Sequence, residues 1–331
     1  MTSLPEWIHT LKVIALQKTF GSARLRGVGV LVSVAIAGLA IFVLTHALKN
    51  VDYDEVFGAI RRTNAGTVVL ALVLVATSYG SLTLYDLLAL RTMGRTHVPY
   101  RIAALASFTS YPIAHGVGAV ALVAPVIRYR IYSYHGLGVF DVANISFLTG
   151  LTFWLGNLTA LGLSLLGAPD AISLIDYLPT PVNRGLAVAL LLGVFAFLLW
   201  TWRQPRRIGT RRWPVRLPSG PVVLLQIAIG IVDLGAAALA MYVLIPAGLN
   251  IGIFRVIAVF IAATLLGFAS HTPAGIGVFD AAILIGLGGE GRESLIAALL
   301  IFRVLYHFLP FVIALGLFGG LEGWRSMHAK R

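Results

Sequence analysis

The segment His271-Thr-Pro-Ala-Gly-Ile-Gly277 interrupts an otherwise apolar stretch from Ile253 to Gly288, and it has a counterpart earlier in the chain, where Tyr111-Pro112 and His115-Gly-Val-Gly118 interrupt the stretch from Arg101 to Val126. Proline removes a helical hydrogen-bond donor and paired glycines remove side-chain constraint, so each stretch is predicted to break into two half-helices joined at a tip. Such breaks persist at membrane depth only inside protein or beside a cavity. Around them, six segments are apolar enough to cross ~30 Å of hydrocarbon: 27–48, 67–88, 139–166, 184–202, 221–245 and 294–320. The predicted fold is all-α: a polytopic membrane protein of six full transmembrane helices plus two inverted re-entrant helical hairpins.

Composition agrees. With 58% hydrophobic residues, 11% charged residues and a mean hydropathy of +0.90, lipid is the solvent for most of the chain, and no stretch is left over for a soluble catalytic domain. Residues 1–26, with Lys12, Lys18, Arg24 and Arg26, read as a cytoplasmic N-terminal arm without the short apolar core of a signal peptide. Residues 27–322 form a single membrane transporter domain, and 323–331 a basic cytoplasmic tail. The formal charge of +12 would suit nucleic acid, but the basic residues lie in short loops between apolar spans, where they set topology instead. There are no cysteines, and so neither disulfides nor thiolate metal sites. His-Glu-x-x-His and histidine–carboxylate clusters at metal spacing are also missing, so neither metal nor cofactor is expected.

Charge decides whether each broken stretch crosses or returns. If both return, 18 of the 25 Lys and Arg residues fall on one side, including Arg203, Arg206, Arg207, Arg211, Arg212 and Arg216. A single crossing by the first stretch would put those arginines outside and invert the strongest positive-inside signal in the chain. The first hairpin is therefore expected to enter from the cytoplasm and the second from outside, with both termini cytoplasmic. The flanks of the two breaks also correspond: Tyr100-Arg-Ile-Ala-Ala-Leu-Ala leads to Gly116-x-Gly118, and Phe254-Arg-Val-Ile-Ala-Val-Phe leads to Gly275-x-Gly277. Inverted repeats with broken helices meeting near the midplane are the architecture of alternating-access transporters.

A half-helix starting at mid-membrane directs free N–H groups and a positive dipole end into the protein, which suits an anion such as phosphate; Gly118 and Gly277 are the expected starts. Glycines there also serve close helix packing. Ionisable groups at membrane depth need a partner or a water-filled cavity, which singles out Asp233, Asp280, Arg303 and His307. Arg303 and His307 share a helical face, and Asp280 with Arg303 is the expected buried ion pair, structural or functional. His115 and His271 flank the tips as hydrogen-bonding groups or proton relays. Arg128 and Arg130 follow the first hairpin at the cytoplasmic surface, as holders of lipid phosphate or as topology markers. With Gly116, Pro273 and Gly275 at the tips, these residues make the candidate substrate site.

Tyr85-Asp86 and Gly275-Ile-Gly-Val-Phe-Asp280 faintly match the two-aspartate motifs of intramembrane proteases, but the second aspartate stands two residues late, a displacement that a proton-sharing pair does not tolerate. An enzyme is not expected. The sequence instead resembles the transmembrane flippase region of the lysylphosphatidylglycerol synthase, or multiple peptide resistance factor, family. The resemblance is carried by Ile127-Arg-Tyr-Arg-Ile-Tyr132 with Gly136-Leu-Gly138, by Thr152-Phe-Trp-Leu-Gly156, by Ser270-His-Thr-Pro-Ala-Gly-Ile-Gly-Val-Phe-Asp280 and by Arg303-Val-Leu-Tyr-His-Phe-Leu-Pro310. The family pattern reads Pro-Gly-Gly and ends in Glu where this chain has Pro273-Ala-Gly275 and Asp280. Full-length members carry a soluble aminoacyltransferase domain, and on the resemblance this chain is expected to keep only the translocating half. The resemblance implies translocation of phospholipids, aminoacylated phosphatidylglycerol among them, and in the family resistance to cationic antimicrobial peptides. A separately encoded synthase is the implied partner. Two other readings remain at this stage: a secondary carrier of a small solute or ion, and a non-transporting partner of a lipid-modifying enzyme.

Overall fold

The computed structural model describes residues 53–202, 206–210, 213–288 and 291–328. The predicted arm 1–26 and the predicted span 27–48 lie outside the described residues, as do 329–331 of the predicted tail. In chain order the helices are α1 (Tyr53–Arg62), α2 (Ala65–Thr92), α3 (Tyr100–Val117), α4 (Val120–Tyr132), α5 (Val139–Gly167), α6 (Ser173–Asp176), α7 (Thr180–Trp202), α8 (Gly220–Leu244), α9 (Ile253–Ser270), α10 (Val278–Leu287), α11 (Arg292–Arg303) and α12 (Leu309–His328). Among the described residues six helical segments are long and apolar enough to cross a membrane: α2, α5, α7, α8, α9 and the continuous run Arg292–Leu321 through α11 and α12.

Three local expectations change. Pro112 does not interrupt α3, which continues to Val117; its fixed φ is already helical, so it removes one donor without ending the helix. The break comes at Gly118, whose φ of 76° is left-handed. Second, α9 is uninterrupted over 18 residues, about 27 Å at the helical rise, so by length and composition it is itself a candidate crossing. Third, the fold is not purely helical: Arg207–Thr210 (β1) and Trp213–Arg216 (β2) pair antiparallel, with Arg207 opposite Arg216 and Ile208 opposite Val215. Ile208 and Thr210 in β1, and Trp213 and Val215 in β2, stand two residues apart, a period that suits a pleated ribbon and not a helix.

The last span contains a widened π-helical turn, Val304–Phe308. Pro310 explains it: without an N–H it cannot bond the carbonyl of Tyr306, and its ring crowds the preceding turn. The freed Tyr306 carbonyl accepts from the Tyr79 hydroxyl of α2 at 2.9 Å.

Packing is reciprocal. Helices α2 and α8 form the central pair; α2 packs on α3 and α8 on α9. Each long span then crosses to the other half, α5 onto α9 and α12 onto α3. Helix α5 meets α8 where Gly156 faces Gly230, so close that a Cβ on Gly156 would lie 2.6 Å from the Gly230 Cα; small residues permit that approach. One apolar core joins α2 and α5 with α8 to α11, and a second joins α2 and α5 with α3, α4 and Ala314 of α12, so α2 and α5 take part in both.

Candidate functional site

The two breaks meet. A Cβ built on Gly118 would stand 2.7 Å from the carbonyl oxygen of His271 and 2.8 Å from the nitrogen of Pro273. The second break is a tight left-handed turn in which His271, Ala274, Gly275 and Gly277 all have positive φ. Arg303 holds this turn from α11. Its Nε and Nη2 donate to Asp280 Oδ1 and Oδ2, the latter at 2.7 Å, and its Nη1 donates to the Ala274 carbonyl at 3.3 Å. Asp280 Oδ2 also accepts from the Gly277 amide at 2.9 Å. The start of α10 is thus already supplied with an anion, its own carboxylate, which is why Gly277 is not an open phosphate site. At α4 the situation differs: the cap residue Ala119 makes no side-chain bond, and among the described residues the Val120 and Ala121 amides have no hydrogen-bond partner.

A cavity of about 1170 Å³ lies at this meeting point. Arg128, Asp233, Asp280, Arg303 and His307 line it, together with His115, Gly116, Gly118, His271 and Gly275 at the tips. Pro273 starts the second turn and Gly277 caps α10, both just behind the lining. Gly116 lies against the Phe311 ring of α12, with no room for a side chain.

Arg128 is not at the surface, where the sequence placed it. It is 2% exposed and bonded three ways to Asp86 of α2, the shortest at 2.8 Å, with its guanidinium 5.1 Å from the Tyr111 ring. The Tyr132 hydroxyl donates to the same carboxylate at 2.8 Å. Burial in low dielectric forces this arrangement, since neither charge is tolerable there alone. Arg130, two residues further along, is exposed and lies outside the lining.

Asp233 is 3% exposed and bound only by hydroxyls: Ser78 Oγ donates to Oδ1 at 2.5 Å and Tyr85 OH to Oδ2 at 2.9 Å. Among the described residues no basic side chain pairs with it. The histidines differ from one another. His115 sits edge-on to Phe268 at 4.7 Å, His271 is exposed at the tip, and His307 packs against Phe302 and Tyr306 with its Nδ1 buried and without a hydrogen-bond partner among the described residues. Sequence reasoning passed over Ser78, weighed Tyr85 and Asp86 only as a protease motif, and met Tyr306 only within the family pattern. Asp86 carries the same signal that singled out Asp233, an ionisable group in an apolar span; the hydroxyls carry none beyond polarity.

The lining changes character from floor to rim. The floor holds the ion pairs and Asp233; the rim carries large apolar side chains that are themselves exposed, Phe147 and Trp154 on α5 and Val304 and Phe308 on the π-helical turn. No group of three or more histidines and carboxylates stands at metal-binding distance among the described residues.

These features define a multi-pass membrane protein with a largely apolar cavity in which a few charged side chains are set. The chain belongs to the family of the inner membrane protein YbhN of Escherichia coli, with 32% identity over 285 residues that cover 83% of this chain and 86% of that protein. An uncharacterised protein of Synechocystis is 27% identical over 309 residues, which span 89% of this chain and 94% of that protein. The phosphatidylglycerol lysyltransferase of Staphylococcus aureus is 26% identical over 286 residues, which span 83% of this chain and 32% of that enzyme. No protein-family model matches the chain. Family and apolar helices together make it a multi-pass inner-membrane protein.

Proposed function

We propose that this protein moves phospholipids between the leaflets of the inner membrane by alternating access, with aminoacylated phosphatidylglycerol as cargo and without chemistry on it. The observation that carries the reading is the divided lining: a charged floor suits a head group, while an exposed apolar rim lets acyl chains remain in the bilayer. The volume exceeds the several hundred Å³ of most small-solute pockets. In this reading the two helix–break–helix units, α3–α4 and α9–α10, are re-entrant and oppositely oriented, with the termini in the cytoplasm, and a separately encoded synthase supplies the lipid. The partial match to a phosphatidylglycerol lysyltransferase supports a lipid of that class.

Charge supports a cationic head group. Arg128 with Asp86 and Arg303 with Asp280 are neutral pairs, which leaves Asp233 as the unpaired carboxylate of the floor. An ammonium group is its natural counter-charge. The lipid phosphate is met by the open amides of α4 and by Arg303, whose side chain keeps 17% exposure.

The test is reconstitution into liposomes containing fluorescent phosphatidylglycerol or lysyl-phosphatidylglycerol, followed by a membrane-impermeant reductant. Loss of fluorescence beyond the outer-leaflet share is expected. It falls to the empty-liposome level for Arg303→Ala and is strongly reduced for Arg303→Lys, which keeps the charge and loses the bidentate fork. Monodisperse native protein that gives no excess with either lipid would overturn the reading in favour of a solute carrier or a scaffold.

A further inference from the structure

We infer that Asp233 is a proton-binding site coupled to transport, so that a lipid of net charge +1 leaves as one proton enters. This rests on the lipid-translocation reading and goes beyond it by naming the coupling ion. A carboxylate enclosed at the centre of the protein without a cation is stable only if it is neutralised, by a proton or by a cationic cargo. Each excludes the other at the same oxygens, and that competition is the basis of exchange.

The surroundings suit both states. With Asp233 ionised, Ser78 Oγ and Tyr85 OH donate to it. When an O–H bond forms at Oδ1, that group donates to Ser78 Oγ, and the serine proton turns to the Tyr306 oxygen, 3.4 Å away, a contact in which either oxygen serves as donor. Hydroxyl rotation alone reverses the Asp233–Ser78 bond, and both carboxyl oxygens stay hydrogen-bonded in either state. The proton comes from water in the cavity and returns to water on the opposite side. The ionisable groups facing this site are Tyr85 and Tyr79 on α2, Tyr306 on the last span and Tyr111 on α3, edge-on to Tyr85. In the rest of the cavity, Arg128 and Arg303 are neutralised by their own carboxylates, His115 packs on Phe268, His271 is exposed at the second break, and His307, a histidine and not a carboxylate, packs beside Tyr306. Asp233 is therefore the lining carboxylate free to change state.

One-for-one exchange moves no net charge. It removes the opposition of about 2.3 kcal/mol per 100 mV that an inside-negative potential sets against outward movement of a cationic lipid. In proteoliposomes with fluorescent lysyl-phosphatidylglycerol, an exterior one pH unit more acid is expected to raise the outer-to-inner ratio of the probe about tenfold. An imposed potassium diffusion potential leaves the ratio unmoved, and an entrapped pH dye reports lipid-dependent acidification. Asp233→Asn, which keeps the shape, is expected to bring the ratio back to that without a gradient, and Asp233→Glu to restore it. Native protein that moves the lipid without responding to the pH gradient overturns the coupling and leaves the transport reading intact; native protein that moves no lipid overturns the transport reading itself. If Asp233→Asn does not purify as folded protein, Ser78→Ala serves instead: it must shift the pH of half-maximal exchange, and an unmoved profile overturns the proposal.

Discussion

Replacing Gly118 by alanine loads the contact between the two breaks with two separable penalties. The first is conformational: a φ of 76° costs an L-residue roughly 1–2 kcal/mol. The second is steric. The new methyl would meet the His271 carbonyl oxygen, the Pro273 nitrogen and the Thr272 carbonyl carbon, all within 2.9 Å. All three are backbone atoms, so no rotamer change relieves the clash, and overpacking of this kind costs roughly 1–3 kcal/mol. Gly136 separates the two terms, because it has the same φ of 76° and a methyl group placed there would meet nothing within 4 Å. Gly136→Ala is thus expected to lose about 1–2 kcal/mol from strain alone, and Gly118→Ala about 2–5 kcal/mol in total. Thermal unfolding of purified protein in detergent measures both, alongside native protein. Equal losses for the two variants would refute the close approach of the tips.

The buried pair of Arg128 and Asp86 predicts a sharper contrast. Arg128→Ala strands a carboxylate that is 0% exposed and is expected to lose about 3–5 kcal/mol, whereas Asp86→Leu combined with Arg128→Met recovers most of it, because paired apolar replacements carry no desolvation cost; denaturation midpoints decide, and a double variant as unstable as the single one refutes the account. Ala274 has a φ of 51°, where glycine is unstrained, so Ala274→Gly is expected to gain about 0.5–1 kcal/mol after the entropic cost of glycine. A lower unfolding temperature for that variant would count against the left-handed turn.

How much of this was legible depended on whether a feature is local. The spans 67–88, 139–166, 184–202 and 221–245 differ from α2, α5, α7 and α8 by only a few residues at either end, since an apolar run satisfying its own backbone is a local property. The helix starts after Gly118 and Gly277 were readable for the same reason. The pairing of Asp280 with Arg303 followed from nearness in sequence. Arg128 was misplaced because its partner, Asp86, lies 42 residues away on another helix, and no local pattern connects them. The hydroxyl shell of Asp233 is longer in range still, with Ser78 separated from it by 155 residues. The ribbon β1–β2 was hidden by its six-arginine neighbourhood, in which charge masked the alternation of Ile208, Thr210, Trp213 and Val215.

The contact of Gly118 with the turn at His271–Pro273 bears on how such a protein opens. Among the described residues no backbone hydrogen bond crosses it: the Gly118 amide bonds to its own helix at His115, and the Gly275 amide bonds to Thr272. The tips meet through dispersion between backbone atoms, small per atom pair, and through the ring contact of His115 with Phe268, so parting them breaks no backbone hydrogen bond. The strong bonds lie within each half instead. Arg303 ties the second turn to α11, and Arg128 ties α4 to α2. Each break is braced by an ion pair within its own half, while the contact between the two tips carries no backbone hydrogen bond. In the proposed transport cycle the tips are thus the part of the interface that carries no backbone hydrogen bond, whereas the seam along α2 carries directional ones. The Tyr79 bond to the Tyr306 carbonyl and the Ser78 bond to Asp233 run between α2 and the second half. In the proposed cycle, motion that parts the tips would have either to pivot about these hydroxyls or to break them, and pivoting would keep the inferred protonation chain at Asp233 intact.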